Sequence, residues 1–300
     1  MTSRKWLIGI IGTLIISCGE SSVSVSYNLP IPIKTEVFSQ STYATMDGEY
    51  EYVGTLTATY FFNEYSQSED MLYLERTFIS DASKGYLKKS YPGELALRIP
   101  KMRLSAKGMQ VVNIEGYENF DSLVVAKTSI PDRWRKQISR MTRQIDLDRI
   151  EKRRWEITHL LLGEVPLNSN ITKLLVSQGR LPSIPNAQID SVLTKSIKKI
   201  NERKCLEYTV YLQEKEAFPY FIWEQHISSV KAGMPFKSYH PKEAAYQNRY
   251  EVALDLENGV PCLEREFKFG IHGMQNPETG DSVTFKSQIS HERLYSKSKP

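Results

Sequence analysis

The sequence predicts an α+β protein: a curved antiparallel sheet with amphipathic helices packed on one face, in the order strands, helices, strands. Three observations carry that prediction. Apolar and polar residues alternate through residues 49–62, 205–212 and 250–271, the period of strands with one dry side. Between these regions the alternation stops and apolar residues recur every three or four positions, as on a helix with one apolar stripe. The composition agrees: 40% apolar residues in a chain of 300 supply a core, and seventeen tyrosines among many threonines and valines favour strands.

Taken in order, residues 49–62 (EYEYVGTLTATYFF) put Tyr50, Tyr52, Leu56, Ala58, Tyr60 and Phe62 on one face. A second strand is read over residues 71–79. Two more, over residues 94–104 and 109–115, are joined by Ala106, Lys107 and Gly108, with glycine where a positive φ is needed. Trp134, Ile138, Met141 and Ile145 then mark a helix, started by Pro131 with Asp132 in its first turn. Asp146 is placed to cap another helix through Ile150, Trp155 and His159 to Leu162, ended by Gly163 and Pro166. A linker rich in Pro, Asn and Ser covers about residues 164–186, and Ile189, Val192, Leu193, Ile197 and Ile200 predict a last amphipathic helix. Strands return around Leu206 to Leu212, then with Phe221, Trp223 and Ile227 on one face, then on both sides of Glu257-Asn258-Gly259, where Asn-Gly signals a hairpin. Val283, Phe285 and Ile289 belong to the final strand.

At the N-terminus, Arg4 and Lys5 precede an apolar run over residues 6–17 that closes in small residues. Charged, apolar, small is the order of a secretory signal, and the run falls short of the about 20 residues a spanning helix needs. Ile15, Ile16, Ser17 and Cys18 here resemble the bacterial lipoprotein signal, with Ile15 where leucine is usual. The resemblance implies cleavage before Cys18, a diacylglycerol thioether on its sulfur and an acyl chain on its new amine; two or three chains hold a protein on a membrane lastingly. Gly19 rather than Asp after Cys18 implies the outer membrane, facing the periplasm. The alternative is an ordinary signal peptide in which Cys18 is incidental. Residues 1–17 are thus read as signal peptide and 18–26 as a lipidated, flexible tether. Residues 27–300 follow as one α+β module, or as two β-rich halves, 27–163 and 186–296, about the 164–186 linker. The mature chain further resembles uncharacterised bacterial lipoproteins sharing the stretch SAKGMQVVNIEGYENF (residues 105–120), and the half-barrel lipoprotein-localisation carriers, whose curved sheet cups acyl chains.

The formal charge of +4, of which Arg4 and Lys5 supply two, is too small to argue for nucleic acid. No metal-ligand spacing joins His159, His226, His240, His272 and His291, and no phosphate loop, dinucleotide fingerprint or nucleophile elbow is present; no cofactor, metal or catalytic site is expected. Glu264 and Glu266 share a strand face, as an acid/base pair would, but Arg265 and Lys268 beside them favour a solvated charged face. Cys205 and Cys262 stand on the polar faces of their strands; a disulfide and two unpaired small residues remain equal readings. Residues 133–154 hold nine basic residues against three acidic ones. Arg133, Arg140, Arg143, Arg153 and Arg154 are candidates for contact with anionic lipid, the alternative being a solvated helix face. Tyr50, Leu56, Tyr60, Phe221, Trp223, Phe267 and Phe269 are candidates for an apolar groove. The expected function is a non-catalytic, membrane-anchored lipoprotein with an apolar or acyl ligand; the alternative is a scaffold docking a protein of the cell envelope.

Overall fold

A computed structural model describes residues 21–47, 50–82, 102–116, 147–214, 237–239, 246–275 and 278–297. In order the strands are β1 (Ser22–Val25), β2 (Ile33–Asp47), β3 (Tyr50–Ser68), β4 (Met71–Ala82), β5 (Met102–Lys107) and β6 (Gln110–Glu115). Helix α1 (Leu147–Thr158), β7 (Gly163–Pro166) and helix α2 (Thr172–Ser177) form the middle. Then come β8 (Ala187–Ile200), β9 (Arg203–Glu214), β10 (Lys237–Tyr239), β11 (Tyr246–Asp255), β12 (Pro261–Gln275) and β13 (Ser282–Lys297).

The fold class differs from the expected one. Among the described residues the chain is mostly β, with two helices only, and these do not form a layer on the sheet. One antiparallel sheet dominates, in the order β6-β5-β4-β3-β2-β13-β12-β11-β9-β8, with β10 added on β12 and β1-β7 forming a separate ribbon. Helix α1 touches both ends of that order. Ile157 lies in one core cluster with Leu206, Tyr208 and Val252 of β9 and β11, while Trp155 lies in another with Tyr65, Leu74 and Leu104 of β3, β4 and β5. Strands so far apart in the order meet one helix only because the sheet curls around it, in the sense that twisted sheets of many strands do.

Strands β3, β4, β9, β11, β12 and β13 fall where alternation places them, and β2 and β1 were not anticipated. Strand β2 buries Thr35 and Val37 and links the two halves of the sheet, pairing with β13 on one side and β3 on the other. The register of β3 against β2 slips at Leu56, an extra residue on β3 that shifts its alternation, so the buried face beyond it is Phe61, Asn63 and Tyr65 and not the face carrying Phe62. The expected helix over residues 189–200 is β8. Its register against β9 slips twice, between Ile189 and Ser191 and between Thr194 and Ile197, so the apolar spacing of three and four comes from bulges interrupting a period of two. Helix α1 is present, but it stops at Thr158, short of Leu162. The tyrosine hydroxyl of Tyr208 lies 2.7 and 2.6 Å from the carbonyls of Ile157 and Thr158 and donates to either, and Arg180 donates to the carbonyls of Leu160 and Leu162 at 3.0 and 2.6 Å. The expected linker contains β7 and α2. The helix expected from Trp134 to Ile145 and the strand expected around Trp223 lie outside the described residues.

Residues 21–29 are a strap rather than a free tether. Ser22 to Val25 pair with β7, Val25 is buried, the backbone N–H of Leu29 donates to Gln67 Oε1, and Tyr27 packs on Gly259. Gly259 has φ of 73°, and a Cβ there meets the Tyr27 ring at 2.7 Å and the Ser26 carbonyl at 3.0 Å. Gly259→Ala is therefore expected to lower stability by about 2 kcal/mol, combining left-handed strain with overpacking. Urea denaturation checks this; an unchanged midpoint means the strap does not press on the β11–β12 turn.

Candidate functional site

The curl encloses charge as well as apolar surface. Strand β12 turns Glu264 and Lys268 inward, β13 supplies Arg293, β4 supplies Arg76, and α1 inserts Glu151 and Arg154 between them. Arg76 Nε donates to Asn63 Oδ1 at 3.2 Å and Nη1 to Glu151 at 3.0 Å, while its guanidinium lies 4.7 Å from the Phe61 ring centre. Glu151 also meets Arg154 at 2.5 Å, and Arg154 reaches Glu264 at 3.7 Å. Glu264 accepts from Thr158 at 3.3 Å and from Arg293 at 3.4 Å. Beside this chain Glu266 pairs with Lys268 at 3.0 Å and accepts from Asn248 at 2.8 Å. Next to Arg154 in the middle of α1, Arg153 makes a two-point pair with Glu214.

Burial by itself raises a carboxyl pKa, and the arginines overrule it. Arg154 and Arg76 hold Glu151 at about 2, Arg154 and Arg293 hold Glu264 below the usual range, and Lys268 with His291 does the same for Glu266. For the histidines burial outweighs the carboxylates beside them, Glu264 at His159 and Glu266 at His291. Burial brings His159 down to about 4 and His291 to about 3, so both are neutral in the folded protein near neutral pH. His159 stacks on Trp155 with ring centres 3.7 Å apart, and its Nδ1 lies 3.0 Å from the Trp155 carbonyl, so this nitrogen carries the proton.

These placements revise several expectations. Glu264 and Glu266 do not form a solvated face: their arginine and lysine partners come from α1, β12 and β13. As an interlocked ion network they are held ionised, with no proton shared between them. Arg153 and Arg154 turn inward to Glu214, Glu151 and Glu264 and are not available to anionic lipid. Arg133, Arg140 and Arg143 lie outside the described residues, as do Phe221, Trp223, His226 and His240. Tyr50, Leu56 and Tyr60 fall on β3, where the backbone alone is described. Phe267 and Phe269 sit on the outer face of β12, opposite Glu264 and Lys268; Arg249 covers Phe267 at 4.3 Å and Phe269 is 39% exposed. They do not line the concave side. Cys205 and Cys262, separated in the sheet by β11, come together against Ala253 with sulfurs 2.7 Å apart. The register slip between Ala253 and Leu254 throws Cys262 out of the ladder and towards Cys205.

Space for a ligand lies at the rim and not at the ionic centre. A cleft of about 350 Å³ opens between the strap, the β3–β4 and β5–β6 turns and the chain after α1. Val25, Tyr27, Leu72 and Leu162 give it apolar walls, and Gln67 and Asp70 stand at its polar side. A second hollow of about 400 Å³, on the outer face of β3 to β6, is lined by the charged Glu64, Glu75, Arg103 and Glu115 together with Tyr73, Leu74 and Leu104. Sequence patterning missed the rim cleft because its walls come from four separate segments, each too short to show a period.

No family profile and no curated protein matches this chain. Among solved structures it is similar to one described as lipid–protein interactions in lipovitellin, at 8% identity and a TM-score of 0.38. That match covers 90% of this chain, which spans a quarter of the lipovitellin chain. It is also similar to a DUF1329 family protein from Desulfovibrio piger, at 9% identity, 88% and 87% coverage and a TM-score of 0.14. A third likeness is to OccK11 of Pseudomonas aeruginosa, at 6% identity, 91% and 98% coverage and a TM-score of 0.19. None of these overlaps is close enough to define a shared fold.

Two predictions follow from the ionic centre. Glu264→Gln leaves Arg154 and Arg293 facing an uncharged amide and is expected to cost about 3 kcal/mol, as breaking one side of a buried pair does; a urea midpoint within error of wild type contradicts the network. Acid is expected to unfold the protein in two stages. His159, lowered to about 4, makes the folded state bind fewer protons than the unfolded chain, so stability falls as pH drops from about 6.5 towards 4. Glu151, lowered to about 2, adds loss from about 4.5 downwards. Urea midpoints measured from pH 7 to pH 3 test this, and His159→Phe should reduce the first stage, to which His291, lowered to about 3, also contributes, while leaving the second in place.

Proposed function

We propose that this chain is a non-catalytic lipoprotein of the bacterial cell envelope, anchored through Cys18 to the periplasmic face of the outer membrane. Its ligand is a single apolar, acyl-type molecule, bound in the cleft under the N-terminal strap. The observation that carries this reading is the rim cleft: about 350 Å³, with apolar walls from Val25, Tyr27, Leu72 and Leu162 and polar groups from Ser24, Ser26, Gln67 and Asp70, a mixed lining that can hold an apolar molecule with a polar end. The order of residues 4–18, charged, apolar, small and then cysteine, supports the address. The position of the cleft supports the two together, since the strap that forms one of its walls begins three residues after Cys18.

Protein expressed without residues 1–18 is expected to take up a fluorescent fatty acid saturably. Ser26→Trp, at an exposed position lining the cleft, should weaken that uptake at least about tenfold with an unchanged melting temperature. Wild-type protein with no saturable uptake removes the ligand from the proposal. Intact mass of membrane-purified full-length protein tests the anchor independently, through loss of residues 1–17 and gain of acyl mass on Cys18.

A further inference from the structure

We propose that the body of this protein lies directly on the bilayer, with helix α2 as the element that enters the headgroup layer. The inference rests on Cys18 carrying the lipid, and it adds the docking surface that such an anchor selects. Had residues 18–26 been flexible, nine residues would let the folded body stand off by about 30 Å. The structure removes most of that length, because Ser22 to Val25 are tied to β7 and the Ser21 carbonyl accepts from the Leu167 N–H at 2.8 Å. Three residues then separate Cys18 from an ordered position, a reach of about 10 Å. Whatever surface surrounds Ser21 must therefore meet the membrane.

That surface contains α2. Leu167 connects through Ser169 and Asn170 to the helix, and Ile171 N–H and Thr172 Oγ1 bond the β8 backbone at Val192. Leu175 of α2 is buried in the same cluster as Val25 of the strap, so helix and strap are held as one piece. The next residues on either side face outward: Leu174 is 37% exposed and Val176 58% exposed. Lys173, next to Leu174 in the helix, is exposed as well. Short apolar side chains on a small helix beside a lysine suit the boundary between headgroups and acyl chains.

The test uses full-length protein purified from membranes and reconstituted in vesicles of phosphatidylethanolamine and phosphatidylglycerol containing a doxyl-labelled lipid. Val176→Cys carries an environment-sensitive NBD label, and Val112→Cys, on β6 and 64% exposed, carries it as the comparison. Intact mass is read on the same samples. The expected result is acylated Cys18, a blue shift and loss of most emission at position 176, and neither change at position 112. Acylated Cys18 with an unquenched label at 176, or equal quenching at both positions, overturns the docking while leaving the anchor standing. Unmodified Cys18 overturns both.

Discussion

The pairing of α1 with two distant parts of one sheet is the constraint from which the rest of the architecture follows. A single helix face carries Ile157 for the β9–β11 side, Trp155 for the β3–β5 side, and Glu151 and Arg154 for the strands between. Charges taken out of water must be paired, and a chain of pairs running from Arg76 to Arg293 can be satisfied only when strands β4, β12 and β13 all face the helix. The curvature of the sheet and the position of the helix are therefore one arrangement. Apolar contact alone would tolerate a helix sliding along the sheet; the interlocked ions do not.

A curled sheet that stays open leaves two problems, its edges and its ends. The edge at β8 is managed in two ways. The segment around Asn170 and Ile171 bonds its middle, and Lys195, Lys198 and Lys199 charge the remainder, as protected edges commonly are. One end is covered by the strap, which runs from Leu167 past Gly259 to Gln67 and so joins parts of the sheet that no strand pairing connects. The rim cleft exists because the strap crosses the turns without filling the space beneath it. A wall made of one two-stranded ribbon of four residue pairs and a few loops is also the part of the fold with least cooperative support, where local opening is expected to cost least.

Strands with an unbroken period of two were legible in the sequence: β9 and β11 bury alternate residues much as the pattern says, whereas β12 buries Glu264 and Lys268 and turns Phe267 and Phe269 outward. Bulges defeated the same logic elsewhere. In β8 two register slips made an edge strand look like an amphipathic helix, and in β3 one slip moved the dry face by a residue. The strap was invisible because four short residues of serine and valine read as tether until a partner, β7, is known. Glu264 and Glu266 were misplaced for a related reason. Their neighbours in sequence, Arg265 and Lys268, describe a surface, whereas Lys268 is buried against Glu266 and the groups that make the burial of Glu264 tolerable stand on α1 and β13, with Thr158 106 residues away.

The sequence by itself determined that β9 and β11 extend, where the β11–β12 hairpin turns at Asn258 and Gly259, and that a helix runs through Ile150 and Trp155, because these depend on periodicity and turn chemistry within a few residues. Only the tertiary structure decided which face of β12 is interior, that Arg153 and Arg154 point inward, that Cys205 meets Cys262 across an intervening strand, and that the first ordered residues close the rim. Each of these depends on a partner remote in sequence. The free energy of burying a charge or docking a strap belongs to the pair, and a linear chain carries only one half of each pair at a time.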